Sequence, residues 1–180
     1  MNEIIIEEYS YKWPQMFEQI AEEIRRGLGD VAIRIDHIGS TSIQDLAAKP
    51  IIDIQISVNS LEPLELFKQP LEELGYVYRE NNPEKTKRYF REQPGNKRIH
   101  IHVRKFGSWH QQFALLFRDY LRTHSFEATL YEREKIRLSE LYRDNRIAYV
   151  EGKNKIFWEI IYRADRWAGR TGWEPGESDA

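Results

Sequence analysis

Hydrophobic and polar residues alternate most regularly over residues 51–58, where Ile52, Ile54, Ile56 and Val58 take one parity and Asp53, Gln55 and Ser57 the other. A period of two predicts a strand with one apolar and one polar face. Residues 98–104 repeat the pattern, with Ile99, Ile101 and Val103 on one side and His100 and His102 on the other. Residues 31–38 form a third strand of this kind, and shorter strands are expected over 4–8, 76–79 and 87–91. Between them the period lengthens. Phe17, Ile20, Ile24 and Leu28 predict a helix that starts at Trp13-Pro14, because proline is tolerated in a first helical turn. Leu64, Phe67, Leu71 and Leu74 predict a second over 63–74, closed by Gly75.

From residue 108 onward only the longer period remains. Helices are expected over 108–124, 126–145 and 152–167, with Phe113, Leu116, Phe117, Tyr120 and Leu121 forming the first stripe. Trp13, Trp158 and Trp167 read as packing anchors. This order predicts an α+β (α/β) chain with a mixed sheet flanked by helices over 1–107. A helical region over 108–168 would dock on that core, and a polar tail over 169–180 would fray.

Composition narrows the function classes. A chain of 180 residues suits one sizeable core, and a formal net charge of −2 gives no global signature for nucleic acid. The absence of cysteine excludes disulfides, thiolate metal sites and cysteine nucleophiles. The first residues do not read as a signal peptide, and no apolar run is long enough to span a membrane. A cytoplasmic protein that does not act at a membrane is the expectation, and a nucleic-acid role has little support.

The candidate chemistry lies at the ends of the alternating runs. Gly39-Ser40-Thr41-Ser42 follows the strand over 31–38 and precedes residues 41–48, which can form one or two helical turns before Lys49-Pro50 stops them. A Gly-Ser turn at a helix start offers N–H groups and hydroxyls to phosphate, and it reads equally well as an ordinary N-cap. Asp53 is a carboxylate between isoleucines, which needs a cleft, a partner or a cation. His100 and His102 project to one face, where they suit metal ligation, acid–base work or a solvent-facing stripe. His37, beside the turn, adds weight to a local cluster. Lys49, Arg88, Arg91, Arg98, Arg104 and Arg118 are candidates to line an anion site, though each alone reads as a surface charge. Tyr131 and Lys135 fall on one helical face.

Taken together, H-I-G-S-T-S-I-Q-D-L-A-A-K-P-I-I-D-I over 37–54 resembles the signature of the GrpB family. So do Gly75-Tyr76, I-H-I-H-V over 99–103, F-R-D-Y-L-R over 117–122, Tyr131 with Lys135, and the helix over 155–167. The resemblance covers nearly the whole chain. The family is similar to the nucleotidyltransferase superfamily, and that likeness implies its core fold. It also implies that Gly39 and Ser40 contact the phosphates of a nucleotide and that Asp53 is a metal-binding aspartate. The second superfamily acid falls at Gln55 and the third near His100 or His102, so two of three carboxylates are replaced. The resemblance therefore implies binding of a nucleotide or small phosphorylated metabolite, with nucleotidyl or phosphoryl transfer through a divalent metal (Mg, Mn or Zn). Asp53, His100 and His102 would be the metal ligands and catalytic groups. Gly39, Ser40, Thr41, Ser42, Lys49, Arg88 and Arg118 would be the phosphate contacts. The alternative is a non-catalytic nucleotide- or metabolite-binding or regulatory module on the same fold.

Overall fold

In the computed structural model, which describes residues 3–180, the run of alternating isoleucines becomes β2 (Ile52–Val58), a central strand. Its neighbours are β1 (Arg34–Ile38), antiparallel, and β5 (Ile99–Lys105), parallel. β4 (Lys87–Arg91) and the two-residue β3 (Val77–Tyr78) complete a mixed sheet in the order β1-β2-β5-β4-β3. The parallel β2–β5 pair is joined by a long crossover that carries β3 and β4, as parallel neighbours require.

The apolar parity of every central strand faces α1 (Lys12–Leu28) and α2 (Glu65–Glu73). Ile35, Ile54, Ile56, Phe90, Ile101 and Val103 are fully buried against Phe17, Ala21, Ile24, Phe67 and Leu71. The polar parity faces the C-terminal helices: α3 (Trp109–Thr123), α4 (Ser125–Leu141), the short α5 (Arg146–Gly152) and α6 (Asn154–Thr171). Leu116, Phe117, Tyr120, Leu121, Tyr131, Ile160, Ile161 and Ala164 form the second core, between those helices and the segment of Ile43 and Leu46.

Three expectations change. Residues 4–8 form no strand; Glu7 makes only an isolated bridge to Ala48. Residues 41–48 do not extend into a helix, because a single 3-10 turn over Ser40–Ser42 ends where Ile43 turns extended. α5 arises where no element was expected, and the Asn145 side chain caps it by accepting from the Ala148 N–H at 3.0 Å.

The terminal residues lie along β1. The Ala180 N–H donates to the Ile35 carbonyl at 3.1 Å, the Ile35 N–H to Ser178 Oγ at 2.8 Å, and the His37 N–H to Asp179 Oδ2 at 2.9 Å. They occupy the open edge of β1, where unpaired backbone groups would otherwise face water.

Candidate metal and phosphate site

Strand register builds the site. Parallel pairing sets Asp53 beside His100 and Gln55 beside His102, and antiparallel pairing ends β1 with Ile38 opposite Asp53. Gly39 therefore lies against the Asp53 carboxylate. Its φ is +72°, and a Cβ there would stand 2.7 Å from Asp53 Oδ2, so glycine is required for both conformation and space. Asp53 Oδ1 lies 3.2 Å from His100 Nδ1 and 3.4 Å from His102 Nε2, and the three candidate ligand atoms all fall within 4.8 Å of one another.

Those spacings suit a cation. A tetrahedral centre with bonds of about 2.0–2.1 Å has ligand-to-ligand edges of about 3.3 Å. One carboxylate with two imidazoles is a donor set for a transition metal more than for magnesium. Tyr89, opposite His102 on β4, packs its ring against both histidines, with centroids 5.2 Å from His102 and 5.6 Å from His100. Burial alone would raise the Asp53 carboxyl, but the hydrogen bonds from His100 and His102 prevail and hold it below the usual carboxylate range. Burial pushes the His102 imidazole down, against the pull of Asp53. Among the described residues, His100 Nε2 and His102 Nδ1 are buried without a hydrogen-bond partner.

The position of the missing second acid is also explicit. Gln55 is fully buried under α3, and its Nε2 donates to the Gln111 carbonyl at 3.1 Å. Its Nε2 thereby helps to hold α3 on the sheet, while Oε1 is buried without a hydrogen-bond partner among the described residues.

Two cavities meet at the cluster, and Ser40 and Asp53 line both. One is a basic pocket of about 180 Å³, walled by Lys49, Lys135, Arg146, Tyr149 and Lys153. Lys49 Nζ lies 4.0 Å and Lys153 Nζ 4.8 Å from the Tyr149 ring centre, a cation–π pair on a buried ring. Lys135 Nζ donates to the Ala47 carbonyl. None of these four cations makes an ion pair among the described residues. Burial, reinforced by neighbouring cations, pushes Lys49 down to about 8 and Lys135 down to about 7. The other cavity is an aromatic groove of about 450 Å³ that runs from Asp53 along α3 and α6.

Thr41 lines the basic pocket, but its hydroxyl donates to the Ile51 carbonyl at 2.9 Å. Several other expected site residues lie elsewhere. Ser42 Oγ donates to the Gly39 carbonyl at 2.6 Å and braces the turn. Arg88 shares the parity of Phe90, away from the histidines, and pairs with Glu62 at 2.6 Å. Lys87, one residue earlier, has the site parity and pairs with Glu84 at 2.8 Å. Arg118 is buried among carboxylates, 2.7 Å from Asp119, 2.8 Å from Asp179 and 3.7 Å from the fully buried Asp36, so its charge is already neutralised. Trp158 is no packing anchor; it is 57% exposed and lines the aromatic groove. Arg146 and Tyr149 lie on α5, where no element was expected and where the Asn145 cap is the sequence signal, whereas Lys153 heads the helix expected over 152–167.

His37 is not part of the cluster. It stacks on Phe17 at 4.8 Å, and its Nε2 lies 3.0 Å from Thr41 Oγ1. The Thr41 proton goes to the Ile51 carbonyl, which can only accept, so His37 Nε2 carries the proton. Burial pushes this imidazole down to about 3, with Arg122 and Arg118 adding to the shift and Asp53 opposing it. The unfolded chain takes up the proton near the ordinary value of 6.5, before the folded one does. Stability from neutral His37 is thus complete above that value and declines as pH falls toward 3. The slope is at most about 1.4 kcal/mol per pH unit. Urea melts between pH 7 and pH 4 should show the decline, and His37→Gln should flatten it.

Comparisons with known proteins follow this geometry. The family model described as GrpB protein matches residues 3–163. The solved structure of the conserved protein GrpB from Enterococcus faecalis superposes with a TM-score of 0.79 at 32% identity, covering 91% of this chain and 99% of that one. Terminal uridylyl transferase 4 from Trypanosoma brucei with bound dUTP gives a TM-score of 0.55 at 9% identity, covering 90% of this chain and 56% of that one, a likeness of fold alone. The UPF0157 protein YqkA of Bacillus subtilis is 38% identical over 92% of this chain and 48% of its own length. A dephospho-CoA kinase of Mycolicibacterium paratuberculosis is 34% identical over 91% of this chain and 46% of its own length. The chain thus spans about half the length of these two relatives. Among the described residues, no helix is long and apolar enough to cross a membrane.

Proposed function

This chain belongs to the GrpB family, and from that premise we propose that it binds a nucleotide through a divalent metal at Asp53, His100 and His102 and transfers its nucleotidyl group to a small acceptor. The observation that carries the reading is the convergence of three ligand atoms on the Gly39-Ser40 turn. The nucleotidyltransferase-like fold supports it. Ser40 donates its hydroxyl to a phosphate oxygen. Lys49, Lys135, Arg146 and Lys153 neutralise the phosphates, a role supported by four cations around one small pocket without ion-pair partners among the described residues. The bound ion would supply charge stabilisation at the reacting phosphate. An acceptor hydroxyl attacks the α-phosphorus of a nucleoside triphosphate and gives up its proton to solvent, the bond to the β-phosphate oxygen breaks, and pyrophosphate leaves. The tilt of the donor set toward imidazole supports zinc over magnesium.

A second reading has its own observation. Gln55 is locked to α3 where a second carboxylate would stand, and two-metal transfer needs more than one carboxylate. That favours a module that binds without turnover. Thermal melts with nucleoside triphosphates, with and without Zn²⁺, Mn²⁺ or Mg²⁺, test the proposal. Metal-dependent stabilisation, growing with the logarithm of ligand concentration, is expected. Equal stabilisation with and without metal contradicts it. Pyrophosphate release in the same mixtures separates transfer from binding.

A further inference from the structure

Trp109, Phe113 and Phe117 recur every fourth residue on α3, which makes one face of that helix aromatic. Phe157 and Trp158 of α6 join it. Ring centres step from Trp109 to Phe113 at 5.3 Å, from Phe113 to Trp158 at 5.6 Å, and from Phe117 to Tyr131 at 5.4 Å. Phe157 links the two ends, 5.5 Å from Phe113 and 4.8 Å from Phe117, so the stripe leads from solvent to Tyr131, which lines the groove with Ser40. Rings of this size are normally covered, yet Trp109 is 62% and Trp158 57% exposed.

The remaining walls of the groove are polar. Arg104 Nη1 donates to Glu84 Oε1 at 2.8 Å, so the arginine and the glutamate that line this end are paired with each other. An uncharged flat ring complements such a wall, because stacking tolerates any aromatic face. A volume of about 450 Å³ lies in the range of small-molecule sites.

We propose that the groove seats the base of a free mononucleotide, stacked against Trp109 and Trp158, while its phosphates extend past Ser40 into the basic pocket. The inference rests on the nucleotide reading above, since Ser40 and Asp53 are what join the two cavities.

Isothermal titration of the full chain with UTP, uridine, inorganic tripolyphosphate and Mn²⁺ tests it. UTP should bind tighter than tripolyphosphate, and uridine should bind measurably without metal. The double variant Trp109→Ala/Trp158→Ala removes two exposed rings and should fold. It should lose at least about tenfold in affinity for UTP and for uridine, with tripolyphosphate and Mn²⁺ unchanged. Unchanged UTP and uridine affinity in a folded double variant overturns the proposal, as does tripolyphosphate binding as tightly as UTP. So does binding of a short oligonucleotide with none of UTP. If uridine binds through the two tryptophans but Mn²⁺ does not bind, the metal reading fails and the groove stands. If Mn²⁺ binds and the rings contribute nothing, only the groove fails.

Discussion

Asp53→Asn should abolish stoichiometric zinc or manganese binding while leaving the fold intact. The carboxylate oxygen sits 3.2 Å and 3.4 Å from the two imidazole nitrogens, so it is the only anionic ligand of the cluster and the hub of both contacts. Asparagine keeps the shape and the fit against Gly39 but loses the charge. Its neutral oxygen is a poor partner for a divalent ion. Even outer-shell changes cost about 10–100-fold in metal affinity, so loss of the central ligand should exceed about 100-fold. Calorimetric titration with Zn²⁺ at pH 7 measures this directly. Metal binding should also weaken as pH falls in the unmodified protein, because ligands must be deprotonated to coordinate. An Asp53→Asn variant that binds zinc as the parent does would place the ion elsewhere.

Arg118→Ala should be the most destabilising single change on the opposite end of α3, by about 3–5 kcal/mol. Arg118 is 3% exposed, donates to the His37 carbonyl at 3.2 Å, and is surrounded by Asp36, Asp119 and Asp179. Truncation removes the cation and leaves the fully buried Asp36 with Arg34 as its remaining ion-pair partner, at 2.8 Å. It also releases Asp179, and with it the segment that covers the edge of β1. The melting temperature should fall by on the order of 10 °C. Amide exchange at Ile35 and His37, whose N–H groups bond to Ser178 and Asp179, should accelerate more than at Ile54. A shift below about 1 kcal/mol would mean that water already screens the cluster.

These two arginine and aspartate positions also mark where the sequence was legible. Alternation located β2 and β5, and it put His100 with His102 and Asp53 with Gln55. It could not say that β2 and β5 are parallel neighbours, because pairing partners lie 47 positions apart and depend on the crossover between them. Adjacency of Asp53 to the histidines was therefore a question that only tertiary structure could answer. The same alternation, applied to residues 87–91, already separated Arg88 from Lys87; Phe90 marks the core parity, and Arg88 shares it. For Arg118, residue type suggested an anion contact, but its neutralising carboxylates come from three separate segments of the chain. Trp158 shows the limit of helical periodicity. The α6 pattern identifies apolar positions without saying which have a partner helix, and Trp158 has none that covers it. The basic pocket depended on α5, whose seven residues are too few for a periodic signal.

A metal at Asp53, His100 and His102 and a phosphate at Ser40 should be neighbours. Phosphorus-31 relaxation of UTP in the presence of protein-bound Mn²⁺ measures that adjacency. Strong paramagnetic broadening of the UTP phosphorus signals is expected with the parent protein, reduced to the level of free Mn²⁺ by Asp53→Asn. Bound Mn²⁺ and bound UTP with no broadening, or equal broadening in Asp53→Asn, would contradict it.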